Sequence, residues 1–151
     1  MIKTPAGPLV VHNCGFSMSG KTFYKTCQRN KVDITPEFAQ KCVDVFRAKY
    51  DRVPAFWYTL EAVAIAAIQT KTVKTLGPLK IGVQDIFLFI KLPSGRKLAY
   101  PYPRIIQADS PWGPKDTLVF LGPIAESSIW SDSASTYGGK LAENVVQAIA
   151  R

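Results

Sequence analysis

The pair Gly77-Pro78 divides this chain of 151 residues, because the hydrophobic period changes across it. Upstream the apolar residues recur at helical spacing, and downstream they cluster in short runs of strand formers. Thr35-Pro36-Glu37 supplies a capping hydroxyl, a proline suited to the first helical position and an acid at the positive end of the dipole. Phe38, Cys42, Val45/Phe46 and Lys49/Tyr50 then continue a helix, which Asp51-Arg52-Val53-Pro54 should break. A second helix is predicted from about Pro54 to Thr70, and its apolar stretch Ala62–Ile68 should be largely buried. Downstream, Ile86–Leu92, the turn Pro93-Ser94-Gly95 and Arg96–Tyr100 predict a β-hairpin. Thr117–Leu121 reads as a further strand, and residues 107–116 and Ser131–Ser135 as polar loops. Gly139-Lys140 opens a last helix with Leu141, Val145, Ala148 and Ile149 on one face, running to Arg151 without a local cap. Before all of these, Pro8–His12 reads as a short strand, residues 14–20 as a glycine-containing loop, and Thr22–Cys27 as helical. The class expected is α+β.

Nineteen Lys and Arg against eleven Asp and Glu leave a formal charge of +8, which favours an anionic partner, nucleic acid first. The positive residues are spread along the chain rather than gathered in a tail. No apolar run approaches the roughly 20 residues that span a bilayer, and the first eight residues lack the apolar core of a secretory signal. The expectation is a chain without a membrane partner. Three cysteines (Cys14, Cys27, Cys42) at irregular spacing fit neither a disulfide scaffold nor a zinc site, and they suit a reducing cytoplasm.

Several short motifs carry chemistry. Gly15-Phe16-Ser17-Met18-Ser19-Gly20-Lys21-Thr22 fits the P-loop pattern, in which backbone N–H groups cradle phosphates and the lysine meets the β/γ-phosphates. That reading also needs a parallel sheet and a later strand ending in an acid, and no apolar run here ends that way. Val10-Val11-His12-Asn13-Cys14 resembles the C-terminal splice junction of an intein. The resemblance implies Cys14 as the nucleophile that receives the upstream host segment, Asn13 as the residue that cyclises to cleave the backbone, and His12 as a proton donor.

Cys14–Phe23 resembles the end of motif B in family A DNA polymerases, especially phage ones, with Phe16 and Ser17 where those enzymes carry Tyr and Gly. The phenylalanine keeps a ring beside the nascent base pair but lacks the hydroxyl. The arginine and lysine of that motif should lie just upstream of Cys14, where Thr4–Asn13 stands instead, as an intein inserted within motif B would leave it. Phe46–Tyr50 and Val53–Trp57 look like the fingers helices that follow. Leu92–Tyr100 looks like the palm hairpin, and Thr136–Ala148 like the palm helix before motif C. Lys140, Asn144 and Gln147 are spaced by four and three and so share one helical face. Such a face can bond sugars, phosphates and minor-groove acceptors.

Over residues 14–151 the resemblance implies an incomplete polymerase domain. Residues 1–13 would be an intein remnant, 14–76 a fingers helical subdomain, and 77–151 part of the palm with antiparallel strands and one helix. Phe16 and Ser17 would meet the nucleotide and template, and Arg96, Lys97, Lys140, Asn144 and Gln147 would meet DNA. The full-length enzyme would use Mg²⁺, primer–template DNA and deoxynucleoside triphosphates in the cytoplasm of a bacterial host. Its metal-binding aspartates would lie in segments outside this chain, so no metal site is expected here, and activity would need those missing segments. Apolar surface should be exposed where absent palm strands would pair. The other readings are a small P-loop NTPase or kinase using Gly15–Thr22, and a basic nucleic-acid-binding module.

Overall fold

The computed structural model describes residues 15–110, 113–123 and 129–151. The chain forms two compact units, one ending at Trp57 and the other running from Tyr58 to Arg151.

In the first unit, α1 (Gly20–Arg29) begins at Ser19, whose Oγ accepts the Thr22 N–H at 3.2 Å. Helix α2 (Pro36–Lys49) begins as its sequence predicts: Thr35 Oγ1 accepts the Phe38 N–H at 3.2 Å, Pro36 opens the first turn, and Glu37 lies within it. Phe23 and Cys27 of α1 pack with Ala39, Cys42, Val43 and Phe46 of α2 in one buried cluster. Cys27 and Cys42 are free thiols inside that cluster. The two helices approach closely at Gly20, where an added Cβ would lie 2.9 Å from Gln40 Cα. The next helix, α3 (Arg52–Thr70), starts two residues before the expected Pro54. Pro54 falls in its first turn, where a missing N–H breaks no helical bond. The break lies at Tyr50, whose N–H still bonds to Phe46 O at 2.9 Å.

In the second unit, α3 buries Leu60, Glu61, Ala64 and Ala67, a stripe at helical spacing. A four-stranded antiparallel meander follows, of β1 (Lys74–Leu76), β2 (Leu79–Gln84), β3 (Phe87–Lys91) and β4 (Lys97–Pro101). Leu79, Ile81, Leu88, Ile90 and Tyr100 are buried. The register sets Ile81 against Ile90 and Leu88 against Tyr100, so one face carries this core. The predicted hairpin is β3–β4: Gly95 takes φ +86° in its turn, and the Gly95 N–H bonds Leu92 O at 2.9 Å. A second antiparallel sheet holds β5 (Arg104–Ser110), β6 (Gly113–Pro123) and β7 (Trp130–Thr136), with β6 central. The last helix is α4 (Gly138–Ala150), which buries Leu141, Ala142 and Val145.

Two expected loops are strands. Residues 107–110 end β5 and 113–116 begin β6, and Ser131–Ser135 lies inside β7. The polar sequence misleads because these strands are mostly exposed. In β7 only Ala134 and Thr136 are buried, while β6 brings the buried Leu118 and Val119. Strands β1 and β2 also precede the run of strand formers that begins at Ile86.

Helix propensity favours alanine over glycine by about 1 kcal/mol inside a helix. At Gly20 the close approach of Gln40 overrides it. Gly20→Ala should therefore destabilise the protein, by about 1–3 kcal/mol for an overpacked contact, seen as a lower urea midpoint. A raised midpoint would show that α1 and α2 separate freely.

Candidate nucleic-acid interface

Two groups of side chains in the structure could meet a nucleic acid, one in each unit. In the first unit, Phe16 and Ser17 are half-buried in the turn before α1, with Ser17 at φ +69°. Two residues from distant helices hold this turn. Trp57 Nε1 donates to Gly15 O at 2.9 Å, and Arg47 Nη2 donates to Met18 O at 3.2 Å. The Arg47 guanidinium also lies 5.9 Å from the centroid of the Trp57 ring. No local pattern announces this bracing, since Arg47 and Trp57 are separated from their partners by 29 and 42 positions. His12, Asn13 and Cys14 lie outside the described residues.

In the second unit, α4 is fixed at both ends by residues from elsewhere. Its N-cap, Tyr137, makes no side-chain capping bond, and its first turn holds no acid. Glu61 of α3 takes that part. Its Oε2 accepts the Gly138 N–H at 3.0 Å, and its Oε1 accepts from Lys115 Nζ of β6 at 2.7 Å. At the other end, Arg96 of the β3–β4 turn donates to Ala148 O. A cation there complements the negative end of the helix dipole. Between them Asn144 donates to the Tyr100 hydroxyl at 3.0 Å. Burial pushes the Tyr100 phenol above its ordinary pKa, with the bond from Asn144 acting the other way.

The five residues expected to meet DNA therefore divide. Arg96 and Asn144 are joined to the fold, one holding α4 and the other bonded to β4. Lys97 stands on the opposite face of β4 from Tyr100, with its ammonium 4.7 Å from the Phe89 ring centroid and 3.3 Å from Gln84 Oε1. Lys140 and Gln147 are exposed on α4, and Glu143 links them, bonding each at 3.2 Å. Glu143 was not foreseen as part of this row, and its carboxylate offsets part of the Lys140 charge toward a phosphate.

The P-loop alternative fits the geometry less well. At Gly15–Thr22 the helix start is closed by its own Ser19 side chain, Gly20 serves packing against α2, and both described sheets are antiparallel. The parallel sheet of a P-loop enzyme is therefore not found among the described residues. Magnesium needs several oxygen ligands converging at one point. Among the described residues, no group of three or more His, Cys, Asp or Glu side chains could hold a metal ion. The acids are engaged singly: Glu61 with Lys115 and Gly138, Asp132 with Arg104, Glu143 with Lys140 and Gln147. These residues do not fit the ion that the resemblance implies for a whole polymerase. No helix is long and apolar enough to cross a membrane among the described residues.

The chain is 42% identical over 110 residues to the DNA polymerase of Bacillus phage SP02. The match covers 72% of this chain and 16% of that relative, so the chain spans about a sixth of the relative's length. No family model matches the chain. No solved structure matches it.

Because Glu61 replaces a local cap, its loss should be felt in α4. Glu61→Ala should lower stability by about 1–3 kcal/mol, the range for an unsatisfied buried donor. It should also speed amide exchange at the start of α4 more than in β2 or β3. Glu61→Gln, which keeps an acceptor for the Gly138 N–H, should restore much of that protection. Equal acceleration throughout the unit would show that Glu61 contributes packing alone.

Proposed function

We propose that this chain is part of a phage DNA-directed DNA polymerase of family A, and that its second unit contributes to the contact with primer–template duplex. The observation that carries this reading is the 42% identity over 110 residues to a phage DNA polymerase. The geometry supports it in two places. The Phe16–Ser17 turn is braced from α2 and α3, as a group that must meet a base pair with fixed geometry requires. Helix α4 is anchored at both ends and presents Lys140 and Gln147 to solvent. In this reading the helical segments belong to the fingers and the sheets with α4 to the palm.

The chain alone does not polymerise in this proposal, since the paired aspartates would come from other segments of the polymerase, with Mg²⁺ and deoxynucleoside triphosphates as that enzyme's requirements. Exposed Ile106 on β5 and Trp130 on β7, at the edges of the second sheet, suit further pairing with such segments. The location would be the bacterial host's cytoplasm. Residues 1–13 would be the end of an intein interrupting motif B, with His12, Asn13 and Cys14 at the splice junction. The coding sequence upstream of residue 1 tests that last point. An open frame carrying an intein body, preceded by the arginine and lysine of motif B, is expected, and an in-frame stop overturns it.

Binding to a labelled primer–template duplex tests the main reading. Affinity should fall steeply with salt, and Lys140→Ala should reduce the slope by about one for a lost phosphate contact. Gln147→Ala should weaken binding with the slope unchanged. Absence of salt-dependent duplex binding would overturn the assignment of α4. Binding of Mg-ATP that Lys21→Ala abolishes would favour the P-loop enzyme instead.

A further inference from the structure

A cleft of about 290 Å³ lies in the second unit, apart from the exposed row on α4. Its walls come from the end of α3, the β2–β3 turn and the link between β4 and β5. Ile68, Val83, Ile86 and Pro103 make much of the lining apolar, with Tyr102 beside them. Lys71 and Arg104 bring two cations to it, and Asp85 one carboxylate.

Left-handed backbone recurs at this cleft. Among the described residues five that are not glycine have positive φ, and three of them line it: Lys71 at +51°, Asp85 at +53° and Tyr102 at +50°. Asparagine and aspartate visit this region readily, whereas a bulky aromatic residue there is an outlier. Tyr102 is held in it by its own N–H, which donates to Ile86 O at 2.7 Å. The result is a tyrosine more than half exposed at a cleft wall, next to a half-exposed Ile86. Residues kept in such conformations cluster at ligand sites, because the surrounding fold must oppose the strain.

The chemistry of the lining selects the ligand. A largely apolar lining with an exposed aromatic ring takes a planar ring by stacking, and neighbouring cations take a negative group attached to it. Arg104 already bonds Asp132 and Ser133, so it is oriented but partly neutralised. Lys71 is exposed and makes no ion pair among the described residues, so its charge is available. We infer that this cleft binds one unpaired nucleotide of a single DNA strand, its base stacked on Tyr102 and its phosphate met by Lys71, with Arg104 as a second, weaker cation. The volume lies near the lower end of ligand clefts, about 300–1,000 Å³, which suits one nucleotide rather than a duplex. Asp85 accepts hydrogen bonds only, and would face the donor groups on a base edge. The inference goes beyond the proposed polymerase reading and does not need it.

The test is fluorescence anisotropy of a short labelled oligothymidylate, titrated across a range of salt. Tyr102→Asn removes the ring, leaves the charge unchanged and suits the positive φ. It should weaken binding roughly tenfold, as the loss of one stacked base does, while Tyr102→Phe binds like the wild type. Lys71→Gln should lower the salt slope by about 0.7, one phosphate on a single strand. Duplex of the same sequence should bind equally well to wild type and Tyr102→Asn, which separates this site from the α4 surface. Unchanged single-strand affinity in Tyr102→Asn overturns the site. Displacement of the strand by thymidine monophosphate at matching nucleotide concentration overturns the strand in favour of a free nucleotide. Should Tyr102→Asn fail to fold, photocrosslinking of wild-type protein to a bromodeoxyuridine strand answers the same question. Adducts on Tyr102 support the site, and adducts confined to other residues overturn it.

Discussion

The second unit depends on one buried carboxylate. Glu61 is only 7% exposed, and an ionised carboxylate in such a place must be compensated by strong partners. It has two: the Lys115 ammonium and the Gly138 N–H. Through them a single side chain joins α3, β6 and the start of α4. Lys115 is about half exposed, so the ion pair is screened, and the pair by itself adds modest stability. The geometric consequence is larger. A helix start needs acceptors for its free N–H groups, and α4 has no local side chain to supply one. Gly138 and Gly139 are both buried, so the start of α4 is enclosed and water is a poor substitute for the carboxylate. Arg96 completes the arrangement at the far end. The position of Lys140 and Gln147 on the surface thus follows from two residues that precede α4 by tens of positions in the chain.

The same logic operates in the first unit at smaller scale. Within the turn carrying Phe16 and Ser17, Ser17 takes a backbone conformation that few side chains favour. Trp57 and Arg47 each use a side-chain donor to fix a backbone carbonyl on either side of it. Tryptophan suits this task because its ring is fully buried while its one N–H still finds a partner. Arginine retains donors after making one such bond, and its Nε is buried without a partner among the described residues. An unmade bond of that kind carries a cost, which the contact with the Trp57 ring offsets in part.

How much of this was legible in the sequence follows from where each signal lies. Helix α2 was readable because its start is written in adjacent residues: Thr35, Pro36 and Glu37 act on their own backbone. The β3–β4 hairpin was readable for the same reason, since Gly95 and the run of strand formers before it are local. Strands β5 and β7 were not, because their stability comes from pairing with β6. Ser131, Asp132 and Ser133 look like a loop when seen without that partner. The ends of α4 were hidden similarly, as their caps stand at Glu61 and Arg96. In the candidate site, Lys140 and Gln147 were named by helical spacing, and both are exposed. Asn144 was named by the same spacing and Arg96 by the resemblance, and neither signal could reveal that Tyr100 and Ala148 O already engage them. Glu143 carried no signal because an acid between two polar residues is ordinary on a helix surface.

The charge pattern limits what kind of contact the proposed DNA surface can make. Nineteen basic residues exceed the acids by eight, and three ion pairs are formed among the described residues. Most basic side chains therefore keep their charge available, yet they are scattered rather than arranged as a fork aimed at one base. Reading a base edge needs a positioned bidentate group, and Arg47, Arg96 and Arg104 each donate to a backbone carbonyl. The free cations are mostly lysines, which meet phosphates as mobile point charges. A surface of this kind gains affinity by displacing counterions and gains little from sequence. That is the property a surface needs if it must hold every sequence that passes over it, and it agrees with a helix whose own position is set so firmly by Glu61 and Arg96.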